Sequence, residues 1–366
     1  MKEKNQSAVW APTRQTTHLL MLLVTLVALM LIAFVVLFAG RSVWFDGSNK
    51  DGGNDGADGI IGQEGDFPYA DGAELNGDDK IALLPFADDT AVIHQSQVLY
   101  SHNAALVDVT SGRVIASSRA DERIYPASMT KVMTLIVVVE NLPNEETLQE
   151  MLTVKKENRK VWEETKSSGF GFKTGQQLSV EALLYFLILD SDNLAAMELA
   201  DYIAGSQDKF VDLMNKKAEA MGLENTNFAN PTGLHDKNHY TSCRDMASIM
   251  NYAMNMKLCR KVLTAKSYTA HYVDADGSSL TGYAYHDLLV TKFENYGTQK
   301  SQPEKVTVIA GKSGWTGEES GYCLVTYAED KTGRGYICVT AKGEDKTLGS
   351  YVYIEDYLTI YNHFVP

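Results

Sequence analysis

The stretch YPASMTKVMT, Tyr125–Thr134, sets a serine three residues ahead of a lysine, and the segment behind it, VMTLIVVVENL, is apolar on every side. A run without a polar face belongs inside a core rather than on a surface. Read as a helix, it puts the Ser128 hydroxyl and the Lys131 ammonium on one face at a buried end; its valines and isoleucine fit a strand as well. A lysine buried there is costly while charged, and desolvation pushes it toward the range of a usable base. Such a base can activate a serine without histidine. Pro126 also presets a helix start, so capping alone explains Ser128 too.

Spacing does not decide between these readings, because Ser206 and Lys209 in GSQDKF repeat it. Ser206 follows a glycine and precedes an amphipathic run carrying Phe210, Val211, Met214, Ala218 and Met221, the setting of an N-cap. Lys209, between Asp208 and Phe210, falls on the wet face. The rest of the chain must supply the difference.

The chain has 366 residues, a formal charge of −14 and four cysteines. Residues 19–40, LLMLLVTLVALMLIAFVVLFAG, carry no charge and are long enough to cross a hydrocarbon layer as a helix. Lys2, Lys4 and Arg14 precede this span and an acidic region follows, which predicts a cytoplasmic tail over 1–18, a transmembrane anchor over 19–40 and an extracytoplasmic remainder. A cleaved secretory signal is the competing reading, but its apolar region is normally shorter and ends at a small-x-small site. Residues 41–90 are rich in Gly, Asp and Asn and read as an acidic linker. Their DGGNDGADG run lacks the spaced ligands and closing glutamate of a calcium loop. The acidic balance argues against a nucleic-acid partner.

Residues 91–366 read as one domain. Apolar runs Ala105–Val109 and Val114–Ser117 around Ser111 and Gly112 predict a hairpin, and GYCLVTYAED and GYICVTAKG around Lys331–Arg334 predict a second. Between them lie helical patterns: one opening near Ser179, a break at Asp190–Asp192, a second over Leu194–Ile203 and a third after Ser206. The aromatic run LGSYVYIEDYLTIYNHF predicts a helix packed across the sheet. Strands at both ends with helices between them predict an α+β fold, its antiparallel sheet closed by distant parts of the chain. Cys323 and Cys338 occupy the two arms of the second hairpin, so they read either as a cross-strand disulfide or as two buried small apolar residues. The cysteines show no CxxC spacing for zinc. His235 and His239 flank Asp236 but lack a third spaced ligand and read as part of a loop beside the site.

Two further groups follow Tyr125–Thr134 in order. LDSDNLAA supplies Ser191, Asp192 and Asn193 at the predicted helix break, and IAGKSGWTGEESGY supplies Lys312, Ser313 and Gly314 at the end of a β-like run. Each has a plain reading, a helix cap for Ser191 and a strand turn for Lys312–Gly314. Another triplet, Lys173-Thr174-Gly175, is out of order. The succession S-x-x-K, S-x-N, K-[ST]-G resembles the serine penicillin-binding enzymes and serine β-lactamases. Within that superfamily the blocks YPASMTKVMT, LLYFLILDSDNLAAMELADYIAG, FVDLMNKKAEAMGLENTNFANPTGLHD and GKSGWTGEESGYCLV are similar to the low-molecular-weight D-alanyl-D-alanine carboxypeptidases of peptidase family S11.

The resemblance implies a β-lactamase/transpeptidase-like fold: an antiparallel sheet flanked by helices, a mostly helical subdomain, and the site between them. It implies that Ser128 attacks the carbonyl between two terminal D-alanines, Lys131 takes its proton, and Ser191 relays a proton to the leaving amine. Asn193 would hold the substrate amide and Lys131, and Lys312 with Ser313 would attract the terminal carboxylate. Gly314 completes that motif. The backbone N–H groups of Ser128 and Trp315 would form an oxyanion hole, roughly 3 to 4 kcal/mol per donor. The expected partners are a peptidoglycan stem peptide ending in D-Ala-D-Ala and β-lactams, with the membrane held through the N-terminal helix and no cofactor or metal. Ser313 stands where threonine is commoner and Leu194 where the family often has aspartate. The family's C-terminal domain and amphipathic anchor are expected to be absent. A serine β-lactamase shares the motifs but uses an E-x-x-L-N stretch not found between Asn193 and Lys312. A slow penicillin- or peptidoglycan-binding sensor fits them as well.

Overall fold

The computed structural model describes residues 87–93, 99–292, 302–345 and 347–366. The chain divides into two units, Met1–Tyr69 and Ala70–Pro366, and every described residue lies in the second. The expected span at 19–40 falls outside the described residues. Among the described residues no helix is long and apolar enough to cross a membrane.

After β1 (Ala87–Val92), the first predicted hairpin forms from β2 (Ser101–Asp108) and β3 (Arg113–Ser118), paired antiparallel. Its turn passes through Gly112 at φ +67°, a conformation that costs a side-chain-bearing residue more than glycine. A short 3₁₀ turn, Ala127–Thr130, then leads into α1 (Lys131–Glu140), so VMTLIVVVENL is a helix rather than a strand. All of α1 except Glu140 is buried. Its apolar circumference suits a helix enclosed by others.

Those others follow in the chain. After β4 (Met151–Thr153), α2 (Lys156–Glu164) and β5 (Gln177–Ser179) comes α3 (Val180–Leu189), capped by the Ser179 hydroxyl, which accepts from the Ala182 N–H. The expected break follows at 190–192. Next, α4 (Asn193–Ala204) is capped by Asp192 and α5 (Gln207–Ala220) by Ser206; α6 (Cys243–Asn255) and α7 (Lys257–Thr264) complete the group. A second sheet, in the order β4-β5-β6-β7, uses β6 (Ser267–Val273) and β7 (Ser279–Tyr285). A π-helical turn, Asp287–Lys292, follows.

The chain then returns to the main sheet through β8 (Val306–Gly314), β9 (Tyr322–Asp330) and β10 (Gly335–Gly343) and ends in α8 (Val352–Phe364). The strand order β1-β3-β2-β10-β9-β8 joins the early hairpin to the late one through β2 and β10. This sheet is antiparallel, apart from β1, which lies parallel to β3. Because side chains alternate across a strand, Ala105, Val107, Ile337 and Val339 face the core shared with the helices, while Ala104, Leu106, Tyr336 and Cys338 face α8. The sheet is covered on both faces. Its strands therefore read as continuous apolar runs.

The same alternation removes the disulfide reading of Cys323 and Cys338. Across the second hairpin Cys338 lies opposite Thr326, not Cys323. Cys323 packs into the helix-side core and Cys338 into the α8 side, and all four cysteines are free thiols. The reading of buried small apolar residues holds for this pair.

Candidate active site

The serine of Tyr125–Thr134 sits at the start of α1 but caps nothing. The 3₁₀ turn and α1 both begin without a side-chain cap, and the Ser128 Oγ instead lies 2.9 Å from the Lys131 Nζ. Ser206 differs in this respect, its hydroxyl accepting from the Lys209 N–H as a cap does. Lys131 is completely buried and gives a second hydrogen bond, 2.7 Å, to the Thr232 carbonyl. Burial, helped by the nearby Lys312 charge and opposed by Asp192, holds its pKa well below the usual lysine range.

The turn before Ser128 is held in an unfavourable shape. Ala127 has φ +48°, a left-handed conformation rare for a residue with a Cβ. Two glycines press on it. A Cβ on Gly314 would lie 2.8 Å from the Ser128 nitrogen, and one on Gly233 would lie 2.0 Å from the Ala127 carbonyl oxygen. Strand β8 thus ends against the backbone N–H of Ser128, and Trp315 follows immediately. Trp315 is exposed and stacks on Tyr322.

Ser191 lies at the break between α3 and α4 with φ +54°, a second strained position. It is not the cap of α4. That role belongs to Asp192, whose Oδ1 accepts from the N–H groups of Leu194 and Ala195, and whose Oδ2 accepts from Phe170. Gly169 passes so close that a Cβ there would fall 2.4 Å from the Asp192 carboxyl carbon. Burial pushes the Asp192 carboxyl up to about 6 despite these donors. Asn193 differs from expectation, since its Nδ2 donates to the Ser167 Oγ and no hydrogen bond joins it to Lys131. Its Oδ1 is buried without a hydrogen-bond partner among the described residues. Leu194, the residue after Asn193, lies in the core.

Lys312 is buried in β8, its Nζ donating to the Ser313 carbonyl at 3.0 Å. Burial pushes it down to about 8, against the opposing charges of Asp287 and Asp190. The Ser313 hydroxyl donates to the Asp287 Oδ2 at 3.4 Å. Asp190 is pushed up to about 7 by burial, then by Asp192 and Asp287. The hydroxyl-bearing Ser128, Ser191 and Ser313 are each partly exposed, whereas Lys131, Asn193, Lys312 and Gly314 are buried. Reactive oxygens are thus open to a substrate while the two lysines stay shielded from water, where electrostatic interactions are weakly screened.

Several participants escaped the sequence reading. The Thr232 carbonyl, Gly233 and the carboxylates Asp190 and Asp287 carry no motif of their own, although NPTGLHD marks the loop that holds the first two. His239 does lie beside the site: its Nδ1 accepts from the Ala229 N–H, which leaves the proton on Nε2 to donate to the Thr130 Oγ1 at 2.7 Å. Burial pushes it down to about 4, so it is neutral. Among the described residues no group of three or more His, Cys, Asp or Glu is placed to hold a metal ion.

Solved structures and curated sequences resemble this chain. A Streptomyces DD-transpeptidase superposes with a TM-score of 0.64 at 26% identity, covering 72% of this chain and 97% of its own. A D-alanyl-D-alanine carboxypeptidase from Mycobacterium tuberculosis, at 23% identity and a TM-score of 0.58, shares the fold. The D-alanyl-D-alanine carboxypeptidase DacF of Bacillus subtilis is 30% identical over 258 residues, which are 68% of this chain and 59% of that protein. DacC of Escherichia coli is 41% identical over 148 residues, 39% of this chain and 36% of its own length. This chain therefore spans between one third and two thirds of these two curated relatives. The sequence model of the peptidase S11 D-alanyl-D-alanine carboxypeptidases matches residues 90–343, the segment that holds the whole constellation from Ser128 to Trp315, and the chain belongs to that family.

Proposed function

We propose that this protein is a serine D,D-carboxypeptidase that removes the terminal D-alanine from peptidoglycan stem pentapeptides through an acyl-enzyme on Ser128, and that penicillin acylates the same serine. The observation that carries the reading is the buried Lys131 amine 2.9 Å from the Ser128 hydroxyl. A neutral amine there accepts the Ser128 proton as the oxygen attacks the carbonyl carbon of the penultimate D-alanine. The resulting oxyanion lies between the backbone N–H groups of Ser128 and Trp315, where the close approach of Gly314 supports it. Collapse breaks the C–N bond, and the proton held on Lys131 passes through Ser191 to the departing amine of D-alanine. Water then hydrolyses the ester. Lys312 and Ser313 receive the terminal carboxylate, and Asn193 receives the substrate amide.

Release of D-alanine from a pentapeptide ending in D-Ala-D-Ala tests this, with Ser128→Ala as the control. We expect release by the intact enzyme and none by the variant. Penicillin labelling without release would mark a slow sensor, and rapid turnover of penicillin would mark a β-lactamase.

The cellular setting is part of the same proposal. Residues 19–40 serve as a single-pass anchor, 1–18 as a cytoplasmic tail and 41–90 as a linker carrying the catalytic domain, 91–366, outside the membrane. The supporting observation is the uncharged run itself, with lysines and arginine before it. Recovery of the protein in the soluble fraction after cell breakage, with an N-terminus beyond residue 40, would show cleavage instead.

A further inference from the structure

The loop that follows α5 touches the lysine base at a point the three motifs do not cover. Lys131 gives one N–H to the Thr232 carbonyl at 2.7 Å, and Thr232 is itself buried. A neutral amine has two N–H groups and one lone pair in tetrahedral directions. With one N–H held by that carbonyl, the Nζ cannot spin freely, and the lone pair has a direction in which to meet the Ser128 hydroxyl.

The carbonyl is aimed by Asn230. Its Oδ1 accepts from the Thr232 N–H at 3.1 Å, the Thr232 hydroxyl at 2.8 Å and the Gly233 N–H at 2.8 Å, while its Nδ2 donates to the Leu234 carbonyl at 2.9 Å. The turn is then fastened to the nucleophile's own helix. The Thr134 hydroxyl donates to the Pro231 carbonyl at 2.7 Å, His239 donates to Thr130, and Gly233, at φ +86°, packs on the Ala127 carbonyl. We infer that Asn230 is a positioning residue for the base: it builds the turn whose Thr232 carbonyl holds Lys131, and so sets where the lysine's lone pair points and how dry its surroundings are. The inference rests on Lys131 acting as the base proposed above.

Asn230 touches neither Ser128 nor Lys131, so its effect has to be read through the lysine. Three titratable groups act on Lys131 or are acted on by it: Lys312 from β8, Asp192 from the cap of α4 and His239 from this same loop. The change at Asn230 substitutes none of them. Opening the turn admits water, weakens the largest cause of the lowered Lys131 pKa and returns it toward the ordinary lysine range.

The test is the rate at which a fluorescent penicillin acylates the full chain, followed across the neutral and alkaline range. For Asn230→Ala we expect the acid limb to move up by about one pH unit and acylation below the limb to fall about tenfold. Asn230→Ser adds no charge and offers the turn a hydroxyl in place of the amide, so it should shift the limb the same way, and thermal unfolding of each variant shows that it is folded. A uniform loss at every pH, or an unmoved limb in both variants, overturns the inference. Wild-type protein that takes up no label at Ser128 overturns the proposed function first and this role with it.

Discussion

Lys131 and Lys312 are the same residue type buried at one site, yet their proposed tasks need opposite protonation states. Lys131 must be neutral to accept a proton, so acylation rises as pH climbs through its lowered pKa. Lys312 must be charged to receive a carboxylate, and it sits at about 8, so substrate capture fails as pH rises through that value. The predicted kcat/KM profile is a bell whose alkaline limb lies near 8. Lys312→Arg keeps its charge at any working pH and should abolish the alkaline limb even if the rate is lower. Asp287 holds the Lys312 pKa up by its opposite charge, so Asp287→Asn should move that limb below 8. A limb unmoved in both variants would assign the alkaline loss to another group.

At the scale of elements, the site depends on the end of β8 touching the turn that carries the nucleophile. Gly314→Ala would set a Cβ 2.8 Å from the Ser128 nitrogen, 2.9 Å from the Ala127 Cβ and 3.0 Å from the Pro126 oxygen. Two of these atoms belong to backbone and cannot swing aside, so the turn has to shift. We expect penicillin acylation to fall about a hundredfold, as for other small misplacements of reacting groups, while thermal unfolding shows the protein still folded. Wild-type acylation by this variant would separate the strand from the oxyanion site. The elements themselves were largely legible because their signals are local: Ser179 and Ser206 cap the helices they precede, and Gly112 turns the first hairpin. Of the small second sheet, β4 and β5 have three residues each and too few side chains to show an alternation, while the seven-residue β6 and β7 do alternate and were missed by the sequence reading. The direction of Asn193 and the aim of the Thr232 carbonyl depend on a loop from elsewhere in the chain, which no spacing within one motif records. The disulfide reading of Cys323 and Cys338 failed for a related reason. Two cysteines on neighbouring strands meet only in register and on one face, and these two meet neither condition.

For the molecule as a whole, the described part is a sheet with a core on each face, and the first strand, β1, begins at Ala87 on β3. A soluble fragment should therefore start no later than residue 87. We expect residues 87–366 to fold and to label with penicillin at the full-length rate; a large loss would give the N-terminal stretch a part in the site itself. Within that fragment, the helical region separates β3 from β8, so the nucleophile turn emerges well before the strand that carries Lys312 and Gly314. The central pairing of β2 with β10, and the Ser101 N–H donated to Asp356 across 255 residues, both wait for the end of the chain. Closing contacts so distant in sequence is slow. A chain still being synthesised thus holds its serine and lysine without the strand that adjoins them, and the site is complete only as its last strands arrive.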